Sequence, residues 1–341
     1  MFKHIDGFDH YMAVGAAASS MANYLNQAGY TTANLTTTNF ALIAGTDNVG
    51  AAIRLTLQSA ASNPPVISRP VQSTQNLIVF GFNFRGSGAR QRIARLNNLV
   101  DLDWDITTGK MRIGGVQGAN VIILNAWWYI ELVIDKASEE LRIYANDALQ
   151  MTVPLASELM AATTFTLTWG MTTAPEATGT VEYDDLYVLD SDPTDATNIT
   201  RRGPMVVTTR RPTADVEAGW TVVNSQSQNH AEIAAQLDPG RVGAPYLQAN
   251  IDGRTDKYLS NTVLPNNNEI FAVALVSYAR KGDLDEREIG MLVETDGGSL
   301  EKRRPLTEAF RFHQVVFEQA PGGVAWNQNR VESSEFGPVA R

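Results

Sequence analysis

Short apolar runs separated by Gly, Asn, Asp and Pro recur along the chain, which is the pattern of β-strands joined by turns rather than of helices alternating with parallel strands. Val100 to Ile106 shows it plainly: Val100, Leu102, Trp104 and Ile106 fall on one face, and Asp101, Asp103 and Asp105 on the other. Thr107 to Lys110 then reads as a turn, with Met111 to Ile113 returning antiparallel. The same logic predicts strands over Phe40 to Ala44, Ala51 to Leu57, Asn76 to Phe84, Trp127 to Ile134, Leu141 to Ala145, Leu149 to Val153, Thr164 to Gly170 and Val181 to Leu189. Asn146-Asp147 supplies a tight turn between two of them.

Around Ser191 the texture becomes polar, in SDPTDATNIT, and the apolar period disappears. A domain boundary is expected there, giving 1–196 and 197–341. The second block predicts strands at Met205 to Thr209, Lys257 to Leu264, Glu269 to Tyr278, Arg287 to Glu294 and Phe310 to Phe317, with a helix-like or loop stretch near Ala231 to Leu237. No heptads and no repeat of 20–50 residues are present. The expected fold class is mainly β, a sandwich followed by a smaller β-rich domain.

Composition narrows the chemistry. The chain has 341 residues, 44% hydrophobic, enough for one large or two ordinary cores. It has no Cys, which removes disulfides, thiolate nucleophiles and Cys-ligated zinc. A net charge of −10 is the wrong sign for a protein that must neutralise phosphates, so nucleic acid is not an expected partner. No window approaches about 18 consecutive apolar residues, so membrane insertion is not expected either. The N-terminus, apolar only from Met12 to Ala18 behind an acidic leader, reads as mature sequence.

The segments IDGFDHY (Ile5 to Tyr11), WYIELVID, RIYANDALQMTV and YDDLYVLD, in that order, resemble the concanavalin-like, laminin-G-type jelly roll of tailed-bacteriophage virion proteins. Asp147 stands where that family's hairpin usually has Gly. The second block is similar to the C-terminal part of the same phage proteins: Gly203-Pro204-Met205-Val206-Val207 runs through Pro212 and Asp215 to Trp220, and Tyr258-Leu259-Ser260, Ser277 to Lys281, Ala325-Trp326 and Glu335-Phe336-Gly337 follow. The resemblance implies a virion structural protein whose partners are copies of itself and other virion proteins, the second domain serving assembly or docking.

Several constellations carry a chemical alternative. Concanavalin-like sandwiches host glucanases whose strand reads Glu-x-Asp-x-x-Glu; here Glu182 and Asp184 share a face, but Tyr187 stands in the second Glu position, and retaining hydrolysis needs two carboxyls about 5 Å apart. Asp101, Asp103 and Asp105 could offer oxygens to calcium, but at about 7 Å spacing along a strand they cannot chelate one ion alone. Asp190, Asp192 and Asp195 read as part of a solvated linker. His4, His10, His230 and His313 have no metal spacing, and no nucleophile elbow accompanies them.

Arg85, Arg90, Arg92 and Arg95 cluster in FRGSGARQRIAR without a phosphate-loop spacing, and with the doublets Arg201-Arg202 and Arg210-Arg211 they are candidate interface residues. Trp127 and Trp128 are adjacent, so one is expected to face outward as an interface anchor or a sugar platform. The resulting expectation is a non-enzymatic component of the virion, without catalytic residues, metal or cofactor. The alternative is a protein that binds or cleaves a host surface glycan on the same sandwich.

Overall fold

Alternating apolar strands of the first two thirds of the chain close over one another as two antiparallel sheets. The structure is a computed structural model describing residues 1–57, 63–88, 91–170, 179–190, 201–260, 263–264 and 268–341. Arg90, and the linker 191–200 with Asp192 and Asp195, lie outside the described residues. Two compact units emerge, Met1–Thr208 and Thr209–Arg341.

In the first unit the strands are β1 (Phe2–Asp6), β2 (Thr31–Ala33), β3 (Phe40–Ala44), β4 (Ala51–Leu57), β5 (Val66–Gln72), β6 (Leu77–Gly86), β7 (Gln91–Leu96), β8 (Val100–Asp105), β9 (Lys110–Ile113), β10 (Val116–Val121), β11 (Trp128–Asp135), β12 (Glu140–Ala145), β13 (Ala148–Pro154), β14 (Thr164–Trp169) and β15 (Gly179–Asp190). One sheet has the order β13-β12-β11-β6-β15-β4-β3, with β1 also paired to β15; the other runs β10-β9-β8-β7-β14-β5-β2. This is the mainly β sandwich that the apolar pattern predicts, in the concanavalin-like jelly-roll form that the resemblance implies. The Asn146-Asp147 turn joins β12 to β13 with both residues at positive φ, 44° and 73°, a pair of values Asn and Asp tolerate better than other side chains.

Period-two alternation decides the two faces of each strand. Along β6, Ile78, Phe80, Phe82 and Phe84 point into the sandwich, where Phe82 meets Trp169 of β14 at 5.7 Å and Trp169 stacks on Tyr183 of β15 at 5.0 Å. The Tyr183 hydroxyl donates to the Ile93 carbonyl across the sandwich, so even the phenol is satisfied inside. The Ile5–Tyr11 motif is a plug for this core: Asp6 accepts from Phe8 N–H, Tyr11 and Tyr30, and Phe8, at φ 59°, is driven against Trp169.

The second unit contains β16 (Ala214–Ala218), β17 (Thr221–Val223), β18 (Tyr246–Gln248), β19 (Asp256–Leu259), β20 (Val273–Ala279), β21 (Glu288–Thr295), β22 (Gly298–Pro305), β23 (Arg311–Phe317) and β24 (Glu335–Ala340). A sheet β16-β19-β24-β21-β22 and the pairs β17-β18 and β20-β23 are formed. Its core gathers Ile289, Met291, Val293, Val315, Phe317 and Trp326.

Met205–Thr209, expected as a strand, belongs to none; within it the Val207 N–H donates to the Asp185 carboxylate instead of to a neighbouring strand. Within the arginine-rich stretch Arg85 stands at the end of β6, while Arg92 and Arg95 belong to β7, whose Ile93 and Leu96 are buried between outward charges. A Phe82→Ala substitution is expected to lower the unfolding free energy by about 3–5 kcal/mol, whereas Val116→Ala on exposed β10 should stay within about 0.5 kcal/mol, both read by urea denaturation.

Candidate functional site

The outer face of the β6-containing sheet carries most of the unit's concentrated polar chemistry. Alternation puts Asn83 and Arg85 of β6, Tyr129, Glu131 and Val133 of β11, and Arg142 and Tyr144 of β12 on this face. On β15 a bulge lies between Asp184 and Tyr187, with Asp185 at φ 51°. That extra residue resets the alternation, so Glu182, Asp184 and Tyr187 all share the face. Gly81 is required opposite: a Cβ there would lie 2.2 Å from the Tyr187 ring.

Each carboxylate on the face is buried and saturated with donors, as burial demands. Glu182 is bridged by Arg54 Nε at 2.7 Å and by Arg85 Nε, from the strands on either side. Arg85 in turn lies 4.6 Å over the Trp127 ring. Glu131, 1% exposed, accepts from the Tyr187 hydroxyl at 2.5 Å, Gly203 N–H at 2.9 Å and Arg201 Nη1 at 2.7 Å. Asp184 accepts Thr46 N–H and Asp185 N–H at 2.8 Å each. Asp185 accepts Val207 N–H and the Asn83 amide, both at 2.7 Å.

Burial raises the Asp184 carboxyl to about 8, with the neighbouring Asp185 charge adding to the shift. Burial also raises Asp185, to about 6, against the lowering hydrogen bonds from Val207 and Asn83; the Asp9 charge pushes it upward as well. The pair therefore holds a proton near neutrality, and its two steps belong to both groups jointly.

Residues Arg201–Val207 cross this face as a strap. Arg202 N–H donates to the Tyr187 hydroxyl at 3.1 Å, which with the Gly203 and Val207 bonds fastens the strap to three side chains of the sheet. The Arg201 guanidinium lies 4.0 Å over the Tyr144 ring and pairs with Asp147 at 2.5 Å. Beside the strap opens a cavity of about 400 Å³, walled by Leu77, Val133, Arg142, Tyr144, Asp147 and Arg201 to Gly203. Arg142 is held in its wall by Asp135 at 2.5 Å. An apolar floor, an aromatic ring, guanidinium donors and a carboxylate acceptor thus converge on one space.

The candidates from sequence are distributed as follows. Arg85 and Trp127 meet at one end of the outer face, while Arg201 and Arg202 line the cavity. Arg202 also lies 5.9 Å from the Phe2 ring centroid. Trp128 is half-buried, its Nε1 donating to the Ile123 carbonyl at 2.9 Å. Arg92 and Arg95 stand on the other sheet and pair with Asp101 of β8 at 3.1 and 3.2 Å; Arg92 also reaches Asp103 at 3.7 Å. Arg112 reaches Asp105 at 4.0 Å, so the aspartate stripe and the arginine cluster are partners of each other.

In the second unit Arg210 donates to the Val331 carbonyl at 2.7 Å and to that of Ser260, and Arg211 is half-buried. The cavity residues Arg142 and Tyr144, and Glu131 beneath the strap, are not site candidates from sequence, and Asp147 is one only of a turn. The signal was there, since Arg142 and Tyr144 alternate onto one face next to the Asn146-Asp147 turn.

Among the described residues no group of three or more His, Asp and Glu side chains is placed to hold a metal ion. The second unit has its own buried polar centre. Asp256, 0% exposed, accepts from Gly219 and Trp220 N–H and the Tyr258 hydroxyl and lies 2.7 Å from His230 Nδ1, while Asp215 accepts the first N–H groups of the short helix His230–Ala234. These carboxylates fix loops.

No family model matches the chain, and no curated protein matches it. Solved structures with a similar fold include an alginate lyase of polysaccharide lyase family 7 (10% identity, TM-score 0.38, 52% of this chain and 99% of that chain) and a carbohydrate esterase from Shiga toxin-encoding bacteriophage phi24B (14% identity, TM-score 0.37, 53% and 99%). A sialidase matches at 10% identity and TM-score 0.36 over 53% of this chain, which spans only 19% of the sialidase's length. At these identities the likeness is one of fold.

These comparisons nevertheless correct one expectation. A chain without enzymatic activity was inferred from the missing second Glu on β15, yet the sandwiches it is similar to are named as lyase, sialidase and esterase. A reading of β15 alone also misses that the neighbouring strand β11 brings Glu131 to Tyr187.

The carboxyl pair sets a pH dependence. A group whose folded pKa is raised above its unfolded value near 3.8 binds its proton more tightly when folded, so its contribution is lost as pH rises from about 4 toward 8. Asp185→Asn leaves Asp184 without its charged neighbour, and the Asn83 amide can flip to receive the new donor. The variant is expected to lose less stability between pH 5 and pH 8 than the parent, by on the order of 1 kcal/mol in urea titrations at the two pH values.

Proposed function

We propose that the first unit binds carbohydrate on the outer face of the β6-containing sheet. The observation that carries this reading is the 400 Å³ cavity beside the strap. A sugar ring offers an apolar C–H face and an edge of hydroxyls that both donate and accept. Leu77, Val133 and the Tyr144 ring provide surface for the first, and Arg142, Asp147, Arg201 and Arg202 provide donors and an acceptor for the second. Pockets of this size with a few convergent polar groups are the usual form of a small-ligand site.

Placement of the protein on a tailed-phage particle, among copies of itself and other virion proteins, is part of the proposal and is supported by the ordered motif resemblance from Ile5 to Gly337. Glycan recognition at a host surface is the task such a position would give this face. Arg85, Arg92, Arg95, Arg201 and Arg210 already have intrachain partners, so an interface built on them would have to share or exchange those partners. Finding the chain by mass spectrometry in purified particles is the expected result for the placement, and its absence from them would refute it.

Binding is tested on a glycan array, with released reducing ends measured in parallel to report whether a bound glycan is also cut. Tyr144→Ala is expected to weaken binding of short saccharides at least tenfold, about 1.4 kcal/mol, while Trp127→Ala at the far end of the face leaves their binding unchanged. A folded protein that retains no glycan on the array would sink the reading.

A further inference from the structure

We infer that the Arg201–Val207 strap is a built-in occupant of the saccharide-binding face, and that a saccharide chain longer than the cavity binds by lifting it. The inference rests on the carbohydrate reading above and concerns the regulation of the same site. The strap is held in the manner of a ligand. It joins no sheet, and the N–H groups of Arg202, Gly203 and Val207 donate to the Tyr187 hydroxyl and to the Glu131 and Asp185 carboxylates. Sugar hydroxyls are donors of the same kind and could replace each of those bonds without leaving a buried acceptor unsatisfied.

The Arg201 guanidinium lies 4.0 Å over one face of the Tyr144 ring, and the same ring lines the open cavity. The cavity, walled by Arg201, Arg202 and Gly203, opens at the end of the strap, so the open space and the covered face are continuous.

The fastening is also slight compared with what it covers. β6 and β11 are paired at eight consecutive positions, whereas the backbone of the strap reaches the sheet through the Arg202, Gly203 and Val207 N–H groups, its other attachments being side-chain contacts such as those of Arg201 with Glu131, Asp147 and Tyr144 and of Arg202 with Phe2. Segments held by few bonds open locally at a fraction of the global unfolding cost. Glu131 and Asp185 are 1% and 2% exposed beneath the strap, and Tyr187 is fully buried.

Two measurements test this. In native-state hydrogen exchange of the full chain, the Arg202, Gly203 and Val207 amides are expected to exchange at least about a hundredfold faster than the core amides of β6 and β11. Equal protection would make the strap a permanent part of the fold and overturn the inference with no ligand involved.

The second measurement locks the strap. A Cβ at residue 7 would lie 3.2 Å from Val207 Cβ and 2.9 Å from the Val207 carbonyl oxygen, so the strap must move outward by a few tenths of an ångström to reach the roughly 3.5–4.5 Å a disulfide spans, and the chain has no cysteine to compete. The Gly7→Cys/Val207→Cys protein is titrated, oxidised and reduced, with size-fractionated ladders of a neutral glucan and a polyuronate and with whichever glycan the array selects. Oxidation is expected to weaken binding of the longer oligomers about tenfold and to leave mono- and disaccharides unaffected. Binding that ignores the lock at every length overturns the strap alone. Absence of all binding in both forms, with the exchange result as expected, overturns the carbohydrate reading and with it the proposed occupant.

Discussion

Removing a carboxylate from water costs several kcal/mol unless donors surround it, and one face of this sandwich removes four of them. Glu131, Glu182, Asp184 and Asp185 are each at most 3% exposed. The surrounding architecture follows from that requirement. The β15 bulge aims adjacent acids at different donors, Thr46 N–H for Asp184 and Asn83 with Val207 for Asp185. Gly81 leaves room for Tyr187 to reach Glu131. The strap completes the set, because Glu131 and Asp185 take their backbone donors from it, Gly203 and Val207 N–H.

The same requirement explains why so many arginines turn inward upon their own chain. At a net charge of −10 the acids outnumber the bases, and the guanidinium groups are spread over the acids that most need them. Arg54 and Arg85 flank Glu182, which is 3% exposed, and Arg201 serves Glu131. The ladder of Arg92 and Arg95 with Asp101 and Asp103 is different in kind. It lies on the exposed side of the other sheet, where each pair is worth about 0–1 kcal/mol and is screened by salt. Clustered arginines in this chain thus have two physical roles that sequence proximity alone does not separate.

What was legible in the sequence was whatever depends on neighbours along the chain. The alternation of Val100 to Ile106 and the Asn146-Asp147 turn are local, and both are realised except that the strand ends at Asp105 and leaves Ile106 exposed. What was illegible depends on neighbours across strands. No spacing reveals that Glu131 faces Tyr187 or that Asp101 answers Arg92, since those pairs are set by register between separate strands. Met205 to Thr209 shows the limit from the other side. Its apolar sequence is as strand-like as any in the chain, but its Val207 N–H goes to the Asp185 carboxylate, so the same local preference produces a strap.

A tethered occupant changes what the face can select. Because the strap is covalently attached, its effective concentration over Tyr187 and Glu131 is on the order of millimolar or higher, and a free saccharide must exceed that advantage to displace it. A single sugar in the cavity meets the residues that wall it, Tyr144 and Arg142 among them, and leaves the strap's bonds to Tyr187, Glu131 and Asp185 in place. A chain of several units gains the acceptors under the strap as well, so its affinity grows with each N–H it replaces. Length discrimination then arises from competition for the same buried oxygens. The requirement that keeps the acids satisfied in the resting protein becomes the element that grades its ligands.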